Sequence, residues 1–150
     1  MGNSGKIRKS GLCLTPEDYM TRREEREQAF ILLFEKSFNT ESSVEELLEL
    51  AKELAMFEDD EFSSKLIHTA CDNIEQIDEY ISNNSKGWKI NRISKVALAV
   101  IRLALAEILY IDDIPDGVTV NEAVELAKKY STPEDASFIN GLLGTVVRAK

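Results

Sequence analysis

The segment VALAVIRLALAEILYI, residues 96–111, constrains the fold more than any other. It is nearly all apolar, yet Arg102 and Glu107 interrupt it. A bilayer-spanning helix needs about 20 predominantly apolar residues, so this stretch is too short and too charged to span a membrane. It reads as a helix buried inside a bundle. Arg102 and Glu107 are five positions apart and do not face each other on a helix. A buried charge without a partner is costly, so each is expected to fasten a neighbouring helix.

The rest of the chain supplies those neighbours. Every segment after residue 20 has helical period and none has strand alternation. Thr21 with Glu24 forms a capping box that opens a first helix ending near Asn39, with Ala29, Phe30, Leu33 and Phe34 as its apolar stripe. Ser43 with Glu46 opens a second, with Val44, Leu47, Leu48, Ala51, Leu54 and Ala55 inward. A third runs from about Asp60 through Ile81 as one helix and is broken by NNSKG (83–87). A short turn around Trp88 and Ile90 precedes the apolar helix, placed at roughly 92–111. After the turn DDIPDG (112–117), Thr119 with Glu122 reads as a third capping box. Thr132 followed by Pro133 caps the last helix. The expected fold is an all-α globular bundle of six to seven helices around one central helix. Residues 1–19 lack apolar period and are expected to be a flexible N-terminal extension, or to precede a true start at Met20. Residues 20–150 form the domain.

Chemistry-bearing residues are sparse. His68 is the sole histidine, and the two cysteines, Cys13 and Cys71, make neither a disulfide framework nor a metal spacing. The acidic run EDDEF (58–62) lacks the glycine turn of a calcium loop. No phosphate-binding glycine loop occurs. The expectation is no enzyme, no cofactor, no metal, no secretory signal, no membrane contact, and a reducing cytoplasmic setting.

Charge is distributed in blocks. The chain carries −9 overall, yet residues 1–26 are net +2 and residues 86–102 are net +5, with no acid among Lys86, Lys89, Arg92, Lys95 and Arg102. Residues 41–79 are net −11. Arg22, Arg23 and Arg26 stand at a helix start, where the macrodipole opposes each cation by ~0.3–1 kcal/mol. They read either as a solvated helix end paired with Glu25 and Glu27, or as an arm for phosphates and bases. The guanidinium fork suits the second role. Trp88 beside the second basic block is read as core.

The segments REQAFILLFE (26–35), WKINR (88–92), VIRLALAEILY (100–110), DIPDGVTVNEAVELAKKY (113–130) and SFINGLL (137–143) together resemble the NusB family of transcription antitermination factors. The resemblance implies two packed helical subdomains. It implies binding of boxA RNA from ribosomal RNA operons together with the ribosomal protein NusE, within an RNA polymerase antitermination complex, and no catalysis. It assigns RNA contact to the arginine-rich first helix. With the charge pattern, the expected RNA-binding residues are Arg22, Arg23, Arg26, Lys89, Arg92, Lys95, Tyr130, Asp135 and Phe138, with Tyr130 and Phe138 the aromatic candidates for stacking. Glu134 or Asp135 takes the family's RNA-proximal acidic position. Three positions depart from the family: Ile31 where Gln is common, Leu98 where Arg or Lys is common, and Gly144 where Asp is common. The first two remove polar groups near the surface the family uses. The competing expectation is an RNA-independent protein-interaction module on the same fold, favoured by the acidic 41–79 block and Leu98. Related domains also precede methyltransferase domains, for which 150 residues leave no room. Self-association into a homodimer is left open. Gly141, inside the last helix, is expected at a close helix crossing.

Overall fold

The computed structural model describes residues 20–58, 60–85 and 89–150. The expected extension at 1–19, with Lys86 and Trp88, lies outside the described residues. Among the described residues the chain forms seven α-helices and no strand: α1 (Arg22–Lys36), α2 (Val44–Glu53), α3 (Glu61–Asp72), α4 (Ile74–Asn84), α5 (Lys95–Tyr110), α6 (Asp116–Tyr130) and α7 (Pro133–Ala149). A 3-10 turn, Ile90–Arg92, precedes α5.

Helix α5 is the centre. Eleven of its 16 residues are buried, from Ala97 through Ile108 with only Arg102 half-exposed. Helices α1, α2 and α3 pack on one another on one side, α4, α6 and α7 group on the other, and α5 touches both sets. This is the expected two-part bundle. The two interrupting charges are fastened as expected. Arg102 Nε and Nη2 each donate at 2.9 Å to the Asp78 carboxylate on α4. The Glu107 carboxylate, 2 % exposed, accepts from Arg26 on α1 and Thr119 on α6.

Local signals placed some helix ends well. Both halves of the capping boxes at Thr21/Glu24 and Ser43/Glu46 are formed. Thr132 caps α7 with Pro133 in its first turn. Three expectations fail for tertiary or local reasons. The third helix is two: Asn73 turns its side-chain amide onto the Thr69 carbonyl at 2.8 Å, a local bond that competes with helix continuation. The box at Thr119 does not form, because α6 already starts at Asp116, behind Pro115, and the Thr119 hydroxyl goes instead to Glu107 at 2.6 Å. The end of α2 does not face inward. Leu54 is 59 % exposed, and Ala55 turns the chain with φ of 58°.

A left-handed alanine is strained by its Cβ, roughly 1 kcal/mol or more. Ala55→Gly is therefore expected to raise stability by about 0.5 kcal/mol, net of the extra freedom of glycine in the unfolded chain. A lowered midpoint in urea would contradict this.

Gly141 is not at a crossing. It is exposed, and a Cβ built there meets nothing within 4 Å. The crossing is made by its buried neighbours Ile139, Leu142 and Leu143. Gly141→Ala should stabilise α7 by roughly 0.5–1 kcal/mol, the helix-propensity difference. Thermal unfolding of the variant at unchanged pH checks it.

Candidate nucleic-acid interface

One stripe of α1 organises this surface. Arg23, Glu27, Phe30 and Phe34 recur at three- and four-residue steps and so share a face, which Phe38 extends past the helix end. At the start, Arg23 grips Glu122 of α6 through Nε at 2.9 Å and Nη2 at 3.0 Å. Next, Glu27 accepts from Lys129 Nζ at 2.5 Å and from the Tyr130 hydroxyl. The Tyr130 ring lies 5.1 Å from Phe30, and Phe30, Phe34 and Phe38 follow at 6.2 and 5.0 Å between centroids. Lys95 Nζ at the start of α5 sits 5.4 Å from the Phe38 ring. The two basic blocks thus stand at opposite ends of α1, roughly 20 Å apart at 1.5 Å per residue, joined by an aromatic row.

The three arginines are not equivalent, and the expectation of an exposed trio is corrected at Arg26. Its side chain is 7 % exposed and delivers Nε and Nη2 to Glu107, at 2.9 and 2.6 Å. A guanidinium held this way beneath the surface is a structural tie and cannot reach a phosphate. Helical phase turns it inward, three residues from Arg23 and on the side facing α5. Arg22 stays exposed, lies 3.9 Å above the Phe62 ring and contacts Glu25 at 3.5 Å. Arg23 is exposed but carries a carboxylate partner.

The same contacts set the ionisation of the paired groups at this end. The hydrogen bond from Arg23 holds the Glu122 carboxyl below its ordinary range. Burial opposes ionisation of Glu27, yet the hydrogen bonds from Lys129 and Tyr130 keep its carboxyl below the ordinary value. Burial, then the bond to Glu27, pushes the Tyr130 hydroxyl up.

The other end differs. Lys89, Arg92 and Lys95 are exposed and Lys36 is half-buried, and none has a carboxylate partner among the described residues. Phe38, 62 % exposed, has Lys95 Nζ 5.4 Å from its ring. Neither Phe38 nor Lys36 is among the residues that the sequence marks as candidates. The available signal was the four-residue step from Phe34 to Phe38, which carries the stripe past the helix end.

The remaining expected residues divide. Tyr130 is 38 % exposed, and its ring is tilted by 44° to that of Phe30. Phe138 is half-buried against the core, so its ring is not a free stacking platform. Asp135 ties elements together: it accepts from the Ser94 hydroxyl at 2.9 Å and from the Ser131 hydroxyl, pinning the start of α5 to the first turn of α7. Of the family departures, Ile31 is exposed at 41 %, whereas Leu98 is buried at 7 %. Gly144 lies where a Cβ would come 3.3 Å from Arg148 Nη1.

Other candidates have structural partners. His68 Nδ1 lies 2.9 Å from the Ser64 carbonyl and Nε2 lies 3.2 Å from Glu45. Burial pushes the Cys71 thiol up. No group of His, Cys, Asp and Glu able to hold a metal occurs among the described residues, and none of their helices is long and apolar enough to cross a membrane.

An α5-centred helical bundle whose surface chemistry collects into a basic and aromatic edge defines an all-α binding domain. The family model described as the NusB family matches residues 23–148, and the chain belongs to that family. It is similar to the transcription antitermination protein NusB of Acetivibrio thermocellus, 45 % identical over 132 residues, spanning 87 % of this chain and 91 % of the relative. The protein of the same name from Natranaerobius thermophilus is 44 % identical over 131 residues, spanning 85 % and 94 %. Among solved structures, T. maritima NusB superposes with a TM-score of 0.75 at 33 % identity, covering 86 % of this chain and 92 % of that one. A structure of antitermination factors NusB and NusE in complex with double-stranded RNA gives 0.76 at 27 % identity, covering 87 % and 100 %.

Proposed function

We propose that this chain is a transcription antitermination factor. It binds boxA-type single-stranded RNA of ribosomal RNA operons together with the ribosomal protein NusE and joins the RNA polymerase antitermination complex in the cytoplasm. It acts by binding and needs no cofactor. The observation that carries the RNA reading is a set of unpaired cations, Lys36, Lys89, Arg92 and Lys95, with the exposed Phe38 ring 5.4 Å from Lys95 Nζ. Cations without internal partners are available to phosphates, and an exposed aromatic face stacks on an unpaired base. A single strand fits this pairing, because proteins read RNA sequence on unstacked bases. Arg22 and Arg23, with Tyr130, extend the contact along α1, and Asp135 positions Ser94 and Lys95 at its far end. Arg26 supports the surface from below.

The test is a titration of labelled boxA-like RNA at several salt concentrations, with and without NusE. The proposal expects binding that NusE strengthens and salt weakens. Binding of NusE with no measurable RNA affinity in either arm would instead support a protein-interaction module. The exposed Leu50, Leu54 and Met56 beside the acidic side chains of α2 favour that second reading.

A further inference from the structure

Two of the unpaired cations, Lys36 and Lys95, line a pocket between the helices. It has a volume of about 550 Å³ and opens between the end of α1, the α3–α4 junction, the 3-10 turn and the start of α5. Its floor is apolar, made by Leu33, Cys71, Ile74, Ile90 and Leu98. Lys36 and Lys95 stand on its wall with Asn91 and Thr40. Arg102 also lines it. Two of its nitrogens are spent on Asp78, and Nη1 makes no hydrogen bond among the described residues. Pockets for small ligands run from about 300 to 1,000 Å³, mostly apolar with a few placed polar groups, and lie between helices in bundles. This one has that composition with an excess of positive charge.

Its occupant must therefore present a flat or compact apolar body, hydrogen-bonding edges and negative charge. A nucleotide has all three. Lys95 belongs to both structures, lining the pocket and lying 5.4 Å from the Phe38 ring, so a strand stacked on Phe38 passes the pocket mouth. We propose that this pocket takes one unstacked nucleotide of the bound RNA, its base on the apolar floor, its edge at Asn91 and Thr40, and its phosphate between Lys36 and Lys95. The proposal rests on the RNA-binding reading above and adds a specificity site to it.

Cys71 on the floor is a built-in reporter. In a Cys13→Ser variant it is the sole thiol. RNA binding is followed by anisotropy, and Cys71 alkylation by a maleimide is followed on the same samples. The probes are a boxA-like oligoribonucleotide and a series in which one base at a time is removed to leave an abasic sugar. The intact strand should slow alkylation roughly tenfold or more, because thiol reaction depends on access. One abasic position should abolish that protection and weaken binding by roughly 5- to 100-fold, the worth of one stacked base. RNA that binds while Cys71 reacts at the rate of the free protein overturns the pocket and leaves the edge standing. Equal protection by every abasic strand also overturns it. Absence of binding by any strand, with NusE added as well as without it, overturns the RNA reading itself, and the pocket with it.

Discussion

Glu107→Ala is expected to cost about 3–5 kcal/mol of stability, the range for breaking a buried ion pair from one side. The carboxylate is 2 % exposed and is the shared acceptor for Arg26 Nε, Arg26 Nη2 and the Thr119 hydroxyl. Removing it leaves a guanidinium with 7 % exposure and a buried hydroxyl without their acceptor. A single domain carries only about 5–15 kcal/mol in total, so the variant should be partly unfolded at moderate temperature. Urea denaturation measures the loss. Arg26→Ala should be nearly as damaging, because it strands Glu107. The double variant Arg26→Leu with Glu107→Leu should recover much of the loss, since hydrophobic replacement of a buried pair is often neutral or better. A mild Glu107→Ala phenotype, below about 1 kcal/mol, would mean that water reaches this pair.

The second large effect is on binding. Replacing Lys36, Arg92 and Lys95 together by alanine should leave the melting temperature nearly unchanged, because none of them has an ion-pair partner to strand. RNA affinity should fall by roughly a hundredfold, if two of the three make charge-assisted contacts of about 1.5 kcal/mol each. Arg22→Ala with Arg23→Ala should cost less. Those guanidinium groups must share themselves with Glu25 and Glu122, so a phosphate there gains less than a full charge–charge contact.

This division of labour explains what the sequence could and could not show. The capping boxes at Thr21 and Ser43 were legible because a cap is decided within four residues. The buried character of α5 was legible from its apolar run, and so was the need for partners at Arg102 and Glu107. Which partners was not legible. Arg26 lies 81 residues from Glu107, and nothing local separates it from Arg22 and Arg23. Only the phase of α1 against α5 turns one arginine inward and leaves two outside. Thr119 failed as a cap for the same reason, since its hydroxyl answers to a residue on another helix. The basic blocks were legible as composition. Their placement at opposite ends of α1, and the neutralisation of only one of them, depended on where Glu27 and Glu122 fall in space. The four-residue step from Phe34 marks Phe38 as part of the stripe, but its exposure depends on where α1 stops.

The central claim is that the unpaired cations at the far end of α1 hold the phosphates. The most direct measurement is the slope of log affinity against log salt for labelled boxA-like RNA, in the parent protein and in the Lys36/Arg92/Lys95 triple alanine variant. Each lost phosphate contact on a single strand should make the slope shallower by roughly 0.7. A flattening of about 1.4 or more in the triple variant, with a smaller change on replacing Arg22 and Arg23, is the predicted result. An unchanged slope in the triple variant, with the loss appearing instead on removal of Arg22 and Arg23, would contradict the account.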